Sequence, residues 1–158
     1  MNRIRHMEVK DWDTPFSEGT IYIVDLSWNG RHFSVTYPDG SGYELEGSER
    51  HKDYALIVSV LHEETESLYD VMFESVSGFR LLDEGGLLEL WAVGERFPNC
   101  ALIKGHLWSK ESPITFISGY EDEWSHLIAT SDECVEIVSH KHPDIKLVGK
   151  SSKRIATS

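Results

Sequence analysis

A chain of 158 residues and 18.0 kDa, 40% hydrophobic and 27% charged with five Trp, six Tyr and six Phe, can bury one core and is too apolar for a disordered chain. Its net charge of −12 disfavours nucleic acid and anionic lipid as partners. The longest strongly apolar stretch, residues 55–61, falls far short of the ~20 residues that a membrane-spanning helix needs.

Residues 2–10 alternate well enough for an opening edge strand. The turn-rich stretch 11–19 carries Pro15 and Gly19, and its Trp12 and Phe16 are expected to fold back as lids on the core. Residues 20–28, TIYIVDLSW, are β-branched and aromatic. Asn29-Gly30 follows, supplying the positive φ angles of a type I′ turn, so a hairpin into RHFSVTY is expected. A second turn, Pro38-Asp39-Gly40-Ser41-Gly42, leads to a third strand at 43–46, and the first third of the chain reads as an antiparallel meander.

The continuous apolar run 54–61 is short and bounded by charge, which suits a buried central strand better than a helix. Residues 62–67 form a turn holding Glu63, Glu64 and Glu66, an acid cluster that is tolerable only in water. Strand material returns over 68–82, with Gly78 as the mark of a bulge. Beyond it Asp83 is placed to cap a short helix, with Glu84 at its positive end and Leu87, Leu88 and Trp91 facing inward. A hairpin across Glu84-Gly85-Gly86 is the competing arrangement, since two glycines weaken a helix.

Two further strands are predicted at 100–108 and 114–118, separated by Ser112-Pro113. An acidic loop follows with Tyr120, Glu121, Asp122, Glu123 and Trp124, then a hairpin of 126–129 and 134–139 around Ser131-Asp132-Glu133, then an edge strand at 145–148. The fold class expected is α+β, mainly antiparallel β, a sheet built of hairpins and meanders with one or a few short helices. One globular domain spans 1–150, and the polar residues 151–158 form a flexible tail.

Residues 60–139 contain sixteen acids and four bases, so the whole net charge of −12 resides there while the rest of the chain balances. A field of this sign accelerates encounter with a basic protein. Cys100 and Cys134 belong to no C-x-x-C pair, which excludes a zinc-finger framework and a redox motif, and both read as buried thiols. No apolar segment follows the charged N-terminus, so a cytoplasmic protein is expected.

Catalytic chemistry has little support. On a strand, His140-Lys141-His142 would put two imidazoles on one face, but a metal needs a third ligand such as His126 or His106, and exposed histidines before a proline turn are the simpler reading. Ser41 and Ser77 complete no nucleophile elbow. Cys134 with His126 or His140 would make a dyad, yet a cysteine in CVEIV is more often a small core residue. No cofactor and no bound metal are expected. The Arg80 fork, set near Phe79, Asp83 and Glu84, is better suited to satisfying a carboxylate and nearby carbonyls than to holding a ligand.

The stretch Val76-Ser77-Gly78-Phe79-Arg80-Leu81-Leu82-Asp83-Glu84-Gly85 with Leu87-Leu88-Glu89-Leu90-Trp91, and the later His126-Leu127-Ile128 and Asp132-Glu133-Cys134-Val135-Glu136-Ile137-Val138-Ser139-His140, resemble small bacterial immunity proteins of polymorphic or contact-dependent toxin systems. Gly86 departs from the polar or acidic residue expected there. The resemblance implies a non-enzymatic inhibitor that occludes one cognate toxin. A basic toxin domain would complement the acidic half, with contacts expected from Glu63, Glu64 and Glu66 in one loop and from Tyr120, Glu121, Asp122, Glu123 and Trp124 in the other. A small ligand-binding β domain, with Trp28, Trp91 or Trp108 lining a pocket, is the alternative, and a metal-dependent enzyme using His140 and His142 is a more distant one.

Overall fold

The computed structural model describes residues 7–28, 33–45, 51–83 and 98–150. They form eleven strands and two short helices, and the expectation of a mainly antiparallel β fold with few short helices is met. The strands are β1 (Glu8–Asp11), β2 (Ile21–Trp28), β3 (Phe33–Thr36), β4 (Gly42–Leu45), β5 (Leu56–His62), β6 (Ser67–Phe73), β7 (Gly78–Asp83), β8 (Cys100–Lys104), β9 (Ser125–Ala129), β10 (Glu133–Val138) and β11 (Asp144–Lys150). Between β8 and β9 lie α1 (Leu107–Glu111) and α2 (Pro113–Ile117).

Five strands make one sheet in the order β1-β8-β9-β10-β7, four make a second in the order β11-β6-β5-β2, and β3 pairs with β4 alone. Every pairing is antiparallel. Because side chains alternate along a strand, each sheet contributes one set of positions to a shared core. Leu56, Val58, Val60, Val71 and Phe73 come from the four-stranded sheet, and Cys100, Leu102, Ile128, Val135 and Ile137 from the five-stranded one. Trp12 and Phe16 close over this core as expected, and Asn99 Nδ2 fixes their loop by donating to the carbonyls of Phe16 and Gly19.

The opposite faces are buried too. Ala101, Ile103, Leu127, Ala129 and Cys134 line the far side of the five-stranded sheet, and Ile57, Ser59, Asp70 and Met72 that of the other. This explains why 54–61 reads as a continuous apolar run rather than an alternating one. In β2, a bulge between Ile23 and Asp25 resets the alternation. Ile21 and Ile23 face inward before it and Leu26 after it, while Val24 points to solvent, 51% exposed.

Three expectations are corrected. The strand before Asn29-Gly30 does not pair with the one after it: β2 pairs with β5, and β3 with β4 across the turn at 37–41. The eight-residue β2 gains more by lying against the central, buried β5 than from a local turn. Asn29 and Gly30 themselves lie outside the described residues. Gly78 is not a bulge but the first residue of β7, after residues 74–77 carry the chain from one sheet to the other.

The strands expected at 100–108 and 114–118 become β8 followed by two helices. Gly105, at φ 79°, takes the left-handed conformation that ends β8. Pro113 starts α2 with a preset φ, and the helical turn brings Phe116 edge-on to His106 and Trp108, at ring centroid distances of 5.4 and 5.1 Å. Tertiary packing of one phenyl ring outweighs the β-branched composition around it. The helix or hairpin expected at 83–91, with Glu84, Leu87, Leu88 and Trp91, falls outside the described residues apart from Asp83, which ends β7.

Candidate functional site

The two acidic loops occupy opposite ends of the fold. The turn at 63–66 follows His62, which pairs with Ile21, and Glu63 N–H donates to Thr20 O. Asn99 ties Gly19 to the end of β9 where Ala129 N–H donates to Asn99 O. Residues 120–124 enter β9 at its other end, Ser125. A five-residue strand at ~3.3 Å per residue separates the two, so they do not form one continuous patch.

Their electrostatics differ as well. In the first loop Glu63 accepts a hydrogen bond from Tyr22 Oη at 2.9 Å, and Glu64 accepts from Thr20 N–H at 2.9 and 3.1 Å through its two oxygens. These partners are neutral, so the charges persist. Among the described residues no Lys or Arg pairs with Glu63, Glu64 or Glu66, and Glu64 has only His62, at 3.7 Å. The Tyr22 phenol reports the field: its hydrogen bond to Glu63, that carboxylate's charge, and the charges of Asp132 and Glu64 raise it above its ordinary value. Glu64 is held below the usual carboxylate range by the Thr20 N–H. Glu66 takes φ 52°, the left-handed corner of the turn. Sequence reasoning passed over Tyr22, which is 40% exposed on β2 beside exposed Val24.

In the second loop two of the three acids are paired with lysines. Lys10 Nζ lies 3.0 Å from Glu121 and Lys104 Nζ 3.3 Å from Glu123. Both ammonium groups sit over the Trp124 ring, at 5.0 and 4.9 Å from its centroid. Tyr120 stacks on His142 at 4.2 Å and pairs with Trp124 through the backbone, making the loop a self-contained structural unit. Glu121 and Asp122 both have positive φ, 51° and 69°.

Arg80 pairs with Glu136, its cross-strand neighbour on the far face of the five-stranded sheet, while Glu84 lies outside the described residues. Arg80 Nε donates at 3.0 Å, with Nη2 also close at 2.9 Å, and the guanidinium lies 4.5 Å from the Trp108 ring centroid. Glu136 is wholly buried and also accepts from His106 Nε2 and Ser125 Oγ, each at 2.5 Å. Burial pushes this carboxyl up, but the His106 bond and charge, the Ser125 bond and the Arg80 charge outweigh that and hold it below its ordinary value. A buried charge so completely satisfied is a brace. On the other sheet, Asp70 is a smaller counterpart, accepting from Ser59 Oγ at 2.7 Å and His51 Nε2 at 3.0 Å.

His140 and His142 sit in the connection between β10 and β11 rather than on a strand, so the shared face does not exist. His142 Nδ1 instead meets His126 Nε2 at 2.9 Å, sharing one proton with it. His126 is enclosed by Trp12, Phe73 and Tyr120, and burial, with the His142 charge, pushes its imidazole down to about 3. No cluster of three potential metal ligands exists among the described residues. Cys134 cannot pair with His126, because the two project from opposite faces of the sheet. Burial, with the nearby Glu136 charge, raises the Cys134 thiol to about 11, and burial raises Cys100 to about 12.

Of the tryptophans expected to line a pocket, Trp28 borders a cleft of about 390 Å³ with Lys52, Tyr54, Glu74 and Val76. Two of its polar residues are held by neighbours, Tyr54 Oη by Asp144 and Glu74 by Lys141. Trp108 packs on Arg80, and Trp91 lies outside the described residues. No helix among the described residues is long and apolar enough to cross a membrane. No protein-family model, curated protein or solved structure matches the chain.

Proposed function

We propose that this protein is a non-enzymatic inhibitor that neutralises a cognate basic toxin by occluding its active or substrate-binding surface, as the resemblance to immunity proteins implies. The observation that carries the reading is the acidic end, where Tyr22 Oη and the Thr20 N–H hold Glu63 and Glu64 and no Lys or Arg pairs with either among the described residues. An aromatic hydroxyl amid carboxylates, with aliphatic Val24 alongside, combines hot-spot composition with a field that steers a basic partner. Nuclease and transferase toxins carry basic substrate grooves that such a surface complements.

The test is co-purification with the product of the neighbouring gene. A product that is toxic alone and binds this chain supports the proposal, and one that neither binds nor is toxic ends it. Given binding, the triple variant Glu63→Lys, Glu66→Lys, Asp132→Lys is expected to slow association about ten-fold or more at low salt. Neutralisation by Glu121→Gln and Glu123→Gln is expected to change it less than about three-fold, because Lys10 and Lys104 already pair with those two carboxylates.

A further inference from the structure

We infer that the corner formed by α1 and α2 is a self-association surface occupied by a second copy of this chain. Neither helix can persist alone in water, since each has five residues. Such helices ordinarily earn their place by burying an apolar face. Here α1 buries no residue and α2 only Phe116, while Ile114, Ile117 and Leu107 are turned outward, 81%, 64% and 60% exposed. Ile114 and Ile117, three residues apart, share one face of α2. A shallow hollow lined by Pro113, Phe116 and Ile117 adjoins them. Aliphatic side chains concentrated at one corner mark an interaction surface.

Charge identifies the occupant. A net of −12 makes any second copy repulsive at the acidic end, where three carboxylates act on Tyr22. Around the helical corner the signs alternate: Lys104 with Asp122 and Glu123 on the rim of the hollow, and Lys110 beside Glu111 on α1. A surface carrying both signs around an apolar centre is complementary to itself, as a two-fold interface requires. This inference does not depend on the toxin reading.

Sedimentation velocity of the full chain over a concentration series is the test. The expected result is a reversible monomer–dimer equilibrium whose Kd rises about ten-fold or more on Ile114→Glu and again on Ile117→Glu, with an unchanged far-UV spectrum and melting profile. Val24→Glu, a comparably exposed aliphatic position at the other end, is expected to leave it unchanged. A wild-type chain monomeric up to the highest attainable concentration overturns the inference. So does a Val24→Glu variant as disruptive as Ile114→Glu, or a monomeric wild type whose partner binding is lost on Ile114→Glu.

Discussion

The two ends of the sandwich carry similar clusters of acids, yet among the described residues lysines pair with the acids of only one of them. Glu63 and Glu64 are held by a hydroxyl and a backbone N–H, which orient a carboxylate without cancelling it. Glu121 and Glu123 are matched by Lys10 and Lys104, which cancel them. What an acidic loop can attract is therefore set by its partners' charge, and its acid count alone is no guide. The helical end is also the one braced from within, because Glu136 joins β7, β10, the residue before α1 and the first residue of β9.

The largest expected effect tests that brace. Glu136→Ala strands Arg80, His106 and Ser125 in the interior and is expected to cost about 4 kcal/mol of stability in a urea titration, as for one-sided removal of a buried ion pair. A loss below about 1 kcal/mol would mean that the cluster is wet and the two ends are built alike.

Acidification comes next. His126 is neutral in the fold, its pKa depressed from 6.5 to about 3, so below pH 6.5 the unfolded chain takes up a proton that the folded one refuses. Stability then falls as pH drops, by about 2 kcal/mol between pH 7 and pH 5. Glu136 shifts in the same direction but acts at lower pH: its depressed pKa gives stability that is intact above the ordinary carboxylate range and is lost as pH falls through its folded value. The pH 7 to 5 window therefore reports imidazoles rather than carboxylates, His126 above all and with it His142, which burial also holds below its ordinary value. His126→Phe, which suits a pocket of Trp12, Phe73 and Tyr120, is expected to flatten the profile there. An unchanged slope would move the titration to another histidine.

These two groups also mark the limit of what the sequence made legible. A bounded apolar run located β5, and period-two patterns and turn residues located β6, the β9–β10 hairpin and the turn at 37–41, because each is decided within a dozen residues. Pairings decided at long range left no local trace. Lys10 meets Glu121 from 111 residues away, and Arg80 meets Glu136 from 56. Nothing near Glu136 in CVEIV announces that both faces of its strand are covered. For β2 the local turn signal pointed the wrong way, because a buried central strand outcompeted it. Gly105 followed by Ser112-Pro113 was the readable sign of α1 and α2, but the β-branched Ile114, Thr115 and Ile117 after it pointed to a strand.

The smallest effect compares single acids, one from each end. Glu64→Gln keeps the shape of a side chain that two contacts hold to Thr20 N–H but removes the charge in those bonds. A slightly lower Tm is expected at neutral pH. Because its hydrogen bonds to Thr20 depress the Glu64 pKa, the wild type loses its advantage as pH falls through that value, and the two proteins should then melt together. Asp122 is exposed, and Asp122→Asn is expected to leave Tm unchanged at both pH values. If Asp122→Asn proved the more damaging, or if the Glu64 difference persisted in acid, the carboxylate at the acidic end would not be working through a neutral donor. Its charge would then be compensated like the charges at the helical end, and the contrast between the two would disappear.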